Sequence, residues 1–194
     1  MRNNPYKNMI KVLTPKKGER LVIQRDGDNV YMTETHVAFC VRYSLYDSYI
    51  HGEKPLQFPA LNDGDCISNG EPCNMDIKQC MSKNDRGRFD AIATDFIKVI
   101  KDAQARMFLI SDGHDYIPLI VNEKFYQTIE PFMNDSDSKL ESCGKSNYPI
   151  WFECDAITAL LLPIRYCDCD MRKHGKALAD LSDIDLLTAR NNVA

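Results

Sequence analysis

The sequence predicts an α+β protein built on a mostly antiparallel sheet with two packed helices. Apolar and β-branched runs of strand length recur along the chain, several in neighbouring pairs joined by short polar turns. Two further segments change to helical spacing. Strand runs interrupted by helices that must each bury one face give a layered α+β architecture.

Each element rests on particular residues. The first 51 residues read as β, with three or four strands between about residues 9 and 43. Leu21, Val22 and Ile23 precede Asp26-Gly27, and Val30, Tyr31 and Met32 follow, which predicts a hairpin about that pair. The run HVAFCVRY continues the meander. Residues 52–88 break the rhythm with Pro55, Pro59, Pro72 and glycines at 52, 64, 70 and 87, and are expected to form an insert peripheral to the core. Within it, NMDIKQCMS is expected to form a short helix starting at Asn74, bringing Cys73, Met75 and Cys80 together. From Asp90, a plausible N-cap, Ile92, Phe96, Val99, Ile100 and Ala103 fall on one helical face, with Asp95, Lys98, Lys101 and Asp102 opposite. RMFLI and YIPLIV read as strands joined by SDGHD. NEKFYQTIEPFM returns to helical spacing, capped by Asn122, with Phe125, Ile129 and Phe132 as its buried stripe. YPIWFEC and TALLLPIRY predict a final hairpin about Asp155-Ala156, with Leu160, Leu161 and Leu162 buried and the strand ending at Ile164. Residues 176–189 read as an amphipathic tail helix seamed by Leu178, Leu181 and Ile184.

Composition bounds the function. The 194 residues suit one domain, here residues 1–170 with the cysteine-bearing insert at about 52–88, followed by a tail at 171–194. Apolar residues make up 44% and charged residues 27%, an ordinary globular balance. A net charge of -4 excludes a generally basic surface, so nucleic acid could meet only a local patch. No run approaches the ~18 apolar residues that span a bilayer, and the start lacks an apolar leader. A cytoplasmic protein without membrane attachment is expected.

Eight cysteines are expected to be reduced thiols, with Cys40 and Cys154 acting as small hydrophobes inside strands. Cys167-x-Cys169, flanked by Asp168 and Asp170, has thiolates and carboxylates that suit zinc, and His174 could add a ligand, but a closed site needs four. Cys66, Cys73 and Cys80 lack the close spacing of zinc knuckles. The CDCD run therefore reads as the place where the chain leaves the sheet, and neither a metal nor another cofactor is expected. No G-x-S-x-G, Walker loop, HExxH or GxGxxG is present. His114, between Asp112 and Asp115, and His36 are the acid-base candidates, and both read as turn or strand-start residues. No catalytic residue is assigned, and a non-enzymatic role is expected.

Three stretches resemble one family, the bacterial sliding clamp, the ring-forming β subunit of the replicative DNA polymerase. TETHVAFCVR is similar to that family's TDGHRLAV stretch: Thr33 and His36 keep the Thr-x-x-His spacing, while Glu34 and Thr35 replace Asp and Gly. VNEKFYQTIEPF looks like the clamp's repeated strand-to-helix step. ALLLPIRY resembles the clamp's C-terminal MPMRL, with Leu162, Pro163, Ile164 and Arg165 in register. Together these stretches span about 30 residues. A clamp chain is nearly twice as long and ends at the Pro-Met-Arg motif, whereas 29 residues follow Arg165 here.

The resemblance implies a clamp-like fold and a binding protein that docks a partner protein at Leu162, Pro163, Ile164 and Arg165. It further implies a role in DNA replication or in a phage or mobile-element programme, since small proteins of this plan resemble those such elements carry. Lys98 and Lys101 are the residues that would face DNA, weakly, because Asp95 and Asp102 offset them. A chain too short to close a ring implies self-association or docking onto another ring. The alternative is a metal-stabilised regulatory or anti-defence protein that works through the cysteine-bearing insert.

Overall fold

The computed structural model describes residues 4–16, 18–82, 89–100, 103–111, 116–142 and 149–164, excepting the side chains of residues 98, 100, 116 and 117. The chain divides into two compact units, Met1–Pro163 and Ile164–Ala194. Of the second, only Ile164 is among the described residues. The expected tail helix, Cys167, Cys169 and His174 lie outside them, as do Lys101, His114 and Arg165.

The chain opens with a helix, not a strand. Tyr6, Met9, Ile10 and Leu13 recur at i, i+3, i+4 and i+7 and are all buried, so α1 (Lys7–Leu13) forms where a β reading was expected. The meander follows as β1 (Val22–Asp26), β2 (Asn29–Thr33) and β3 (Val37–Arg42). Its first turn places Gly27 at φ 58, a conformation that glycine adopts without Cβ strain. A short helix, α2 (Tyr43–Tyr46), runs into a π-helical turn (Asp47–His51) and buries Tyr46 and Ile50.

Residues 52–82 are less peripheral than expected. Phe58 and Leu61 enter the main core, and β4 (Cys66–Ser68) pairs with β1. β5 (Glu71–Pro72) pairs with β4 across Asn69-Gly70, whose φ angles of 50 and 89 fit a two-residue I′ hairpin. The short helix is present as α3 (Ile77–Met81), but its N-cap is Asp76, whose side chain accepts from the Gln79 N–H. A few well-placed apolar residues anchor a segment whose average composition reads as loop.

The expected helix from Asp90 is instead β6 (Phe89–Ile100), paired with β7 (Ala103–Ser111), which pairs in turn with β8 (Tyr116–Asn122). Ala93 lies opposite Phe108 and Ile97 opposite Arg106, so Thr94–Phe96 bulge against Met107 alone. The Thr94 hydroxyl donates to the Met107 carbonyl at 2.9 Å and accepts from the Phe96 N–H at 3.2 Å. A spacing of four, as from Ile92 to Phe96, is even and so fits a strand's period of two as well as a helix's. The almost wholly buried β7 supplies the ladder that decides between them.

The second packed helix is α4 (Glu123–Ile129), extended by a 3₁₀ turn (Glu130–Phe132). Asn122 caps it by accepting from the Lys124 N–H at 3.1 Å, and Phe125, Ile129 and Phe132 are buried as expected. A strand not foreseen, β9 (Lys139–Ser142), leads to β10 (Ile150–Cys154) and β11 (Ile157–Leu161), which turn at Asp155-Ala156 with Cys154 opposite Ile157. The strand ends at Leu161, three residues before Ile164.

The eleven strands among the described residues form one antiparallel sheet in the order β5-β4-β1-β2-β3-β11-β10-β9-β6-β7-β8. The fold is therefore α+β with two packed helices, α1 and α4. Each begins a helix and three-strand unit, α1-β1-β2-β3 and α4-β9-β10-β11, whose strand orders mirror each other about the central β3–β11 pair. One face of the sheet packs with both helices around Met9, Phe39, Phe108, Phe152 and Leu161. On the other face, Val22, Tyr31, Trp151 and Leu160 form a smaller cluster with Ile77 and Met81 of α3. No helix among the described residues is long and apolar enough to cross a membrane.

Candidate functional site

Three stretches far apart in sequence meet at one end of the central strands. The first is the turn between β2 and β3. The Thr33 hydroxyl donates to the Val37 carbonyl at 2.9 Å and accepts from the Thr35 N–H at 3.3 Å, closing the turn tightly. This closure holds Thr35 at φ 91, a value rare for a β-branched residue.

The second stretch is the chain leaving β11. The Leu162 N–H donates to the His36 carbonyl at 3.0 Å, prolonging the β3–β11 ladder, and Pro163 then bridges to Val121 at the end of β8. Leu162 is half-buried and Pro163 buried. The third is the start of α4. Phe125 stacks on the His36 ring at 6.4 Å, and the Lys124 ammonium lies 4.6 Å from the Phe125 ring centre.

A buried ion pair fixes α4 to the sheet. Arg106 on β7 donates from Nε and Nη2 to the Glu123 carboxylate at 2.8 and 2.9 Å and from Nη1 to the Thr94 carbonyl at 2.8 Å. Its guanidinium lies 3.9 Å over the Tyr126 ring. Every donor edge of that fork has work to do, which gives the helix start one orientation.

Glu34 gives the site its electrostatic character. The residue is 5% exposed, its Oε2 lies 3.6 Å from His36 Nδ1, and its Oε1 has no hydrogen-bond partner among the described residues. Burial raises the carboxyl above the ordinary glutamate value, against the opposing pull of Lys124 and His36. The result is a poorly solvated carboxyl beneath an exposed imidazole, beside a half-buried leucine and an ammonium. Mixed apolar and charged groups on a rigid turn suit recognition of another molecule.

Of the residues singled out from sequence, Leu162, Pro163, His36 and Thr33 come together here. Ile164 is half-buried, and Arg165 lies outside the described residues. Lys98 lies on β6 opposite Ala105, on a strand instead of the expected helical face. Glu34, Lys124 and Phe125 were not singled out as site residues. The signal for Glu34 was an acidic residue in a short polar turn between two apolar strand runs. Among the described residues, no group of three or more His, Cys, Asp or Glu side chains is placed to hold a metal ion.

Solved structures similar to the fold are bacterial DNA polymerase III β subunits. The chain aligns with that of Caulobacter crescentus at 10% identity and TM-score 0.35, covering 79% of this chain and 60% of that one. With that of Streptococcus pneumoniae the figures are 9%, 0.40, 86% and 63%. With that of Pseudomonas aeruginosa they are 11%, 0.37, 87% and 64%. The resemblance is distant, and the chain spans less than two thirds of the length of each. No protein-family model matches the chain, and neither does any curated protein.

Proposed function

We propose that the chain is a non-enzymatic, clamp-like binding protein that docks a partner protein at Leu162, Pro163, Ile164 and Arg165, in DNA replication or in a phage or mobile-element programme in the cytoplasm. One observation supports this reading above the others. The three stretches that resemble the clamp family in sequence, the first and last of them more than a hundred residues apart, lie against one another at Leu162 and Pro163. Burial of Leu162 against a partner would remove apolar surface from water, and the Arg165 and Lys124 charges would set orientation at the rim.

A chain of this length acts as part of a larger assembly in this reading, by self-association or by joining a ring of other subunits. DNA contact through Lys98 and Lys101 is weak in it, because two lysines neutralise few phosphates and the chain carries a net charge of -4. The test is capture of replication proteins on immobilised full-length chain, compared with the Arg165→Glu variant. The variant should weaken capture about tenfold, mainly through slower association. Tight binding to short linear duplex at ~150 mM salt, unchanged by Arg165→Glu, would overturn the docking surface.

A further inference from the structure

The β4–β5 hairpin holds a pair of cysteines that the docking surface does not use. Cys66 Sγ lies 3.3 Å from Cys73 Sγ, and the Cys73 N–H donates to the Cys66 carbonyl at 2.9 Å. The two residues thus continue the antiparallel register set by Ile67 opposite Pro72. Hydrogen-bonded antiparallel pairs have Cα atoms about 5.5 Å apart, inside the range that a disulfide spans. Both thiols are half-exposed and line an open cleft of about 550 Å³ with Asp65, Asn74, Met75 and Asp76.

Other described cysteines lack this arrangement. Cys40 is hydrogen-bonded to Tyr31, and burial pushes its thiol up to about 11. Cys154 is buried in the main core, and Cys80 is exposed on α3. Two thiols alone do not make a closed zinc site.

We propose that Cys66 and Cys73 form a reversible dithiol-disulfide site that exchanges with low-molecular-weight disulfides entering the cleft. One cysteine thiolate attacks a sulfur of the incoming RSSR, forming a protein-SR mixed disulfide and releasing RS⁻. The second thiolate attacks the protein sulfur of that mixed disulfide, closing the Cys66–Cys73 bond and releasing the second RS⁻. In sum, two protein thiols and one RSSR give one protein disulfide and two RSH, so the protons lost by the cysteines leave on the small thiols.

Closure ties β5, an edge strand of the sheet, to β4. It also shortens the tether to α3, which is held on the sheet by the Ile77 N–H bond to the Gln24 side chain at 2.8 Å and by the Lys78–Asp26 ion pair. Burial raises the Cys66 thiol above its ordinary value, so exchange through it quickens as pH rises.

The test uses the full-length protein, fully reduced, incubated with oxidised glutathione, alkylated and analysed by intact-mass and peptide mass spectrometry. The expected result is loss of two of the eight alkylatable thiols, a mass decrease of about 2 Da before alkylation, and a linked peptide joining Cys66 to Cys73. Cys73→Ser should stop at a glutathionyl adduct on Cys66. Wild-type protein that keeps both thiols, holds an unresolved adduct, or links either cysteine to Cys80 would overturn the proposal. The decisive reading is on the wild-type chain, so a variant that misfolds does not blunt it.

Discussion

Thr35 sits at φ 91 in the turn that carries His36, a conformation costly for its branched Cβ and held by the Thr35 N–H bond to the Thr33 hydroxyl. The clamp stretch it resembles has glycine at this place. Thr35→Gly is expected to stabilise the protein by about 1 kcal/mol, as relief of backbone strain outweighs the greater freedom of glycine in the unfolded chain. Urea denaturation of the two proteins measures the difference, and a less stable glycine variant would show that the turn is unstrained. Its neighbour Glu34 makes a pH-dependent contribution. Because burial raises the folded-state carboxyl above the unfolded value, the folded protein keeps a proton that the unfolded chain has lost. Stability is therefore complete below the ordinary glutamate range and declines as pH rises through the raised value. Glu34→Gln removes the ionisation, so its melting temperature should fall less than that of wild type between about pH 4 and 7. Parallel curves would assign the carboxyl no such role.

Among the elements, α4 owes its place to Arg106 as much as to its apolar stripe. Removing one partner of a buried ion pair strands the other, so Arg106→Ala is expected to cost about 3–5 kcal/mol by leaving Glu123 unpaired. The double variant Arg106→Met with Glu123→Leu should recover most of that loss, and denaturant titration distinguishes the two outcomes. Legibility of the elements in the sequence followed local chemistry. Asn122 with its apolar stripe and Asp155-Ala156 carry their instructions within a few residues and appear where they were read, while the first hairpin turns one residue on, at Gly27-Asp28, with Asp26 opposite Asn29. β6 does not carry its own instructions, because its apolar spacing fits a helix and the pairing that makes it a strand comes from β7 and β9. The α1 pattern and the Asn69-Gly70 turn were present as local signals, but the surrounding apolar and proline-rich runs obscured them.

At the scale of the whole molecule, the site was half legible. Thr33, His36, Leu162 and Pro163 stood out as short motifs, yet nothing local could say that Lys124 and Phe125 join them. That juxtaposition depends on Pro163 bridging to Val121 and on the ladder between β3 and β11. The same ladder governs how the protein comes into being. It pairs Val37–Cys40 with Thr158–Leu161, strands separated by more than a hundred residues of chain. During synthesis the middle of the sheet therefore stays open until nearly all of the first unit has emerged, and β1-β2-β3 waits with one side of β3 unpaired. Contacts of such long sequence separation slow folding and prolong the life of exposed strand edges. Newly made chains are thus most vulnerable to aggregation and proteolysis in the interval before β11 arrives, and a chain cut short of residue 157 has no strand with which to close its centre.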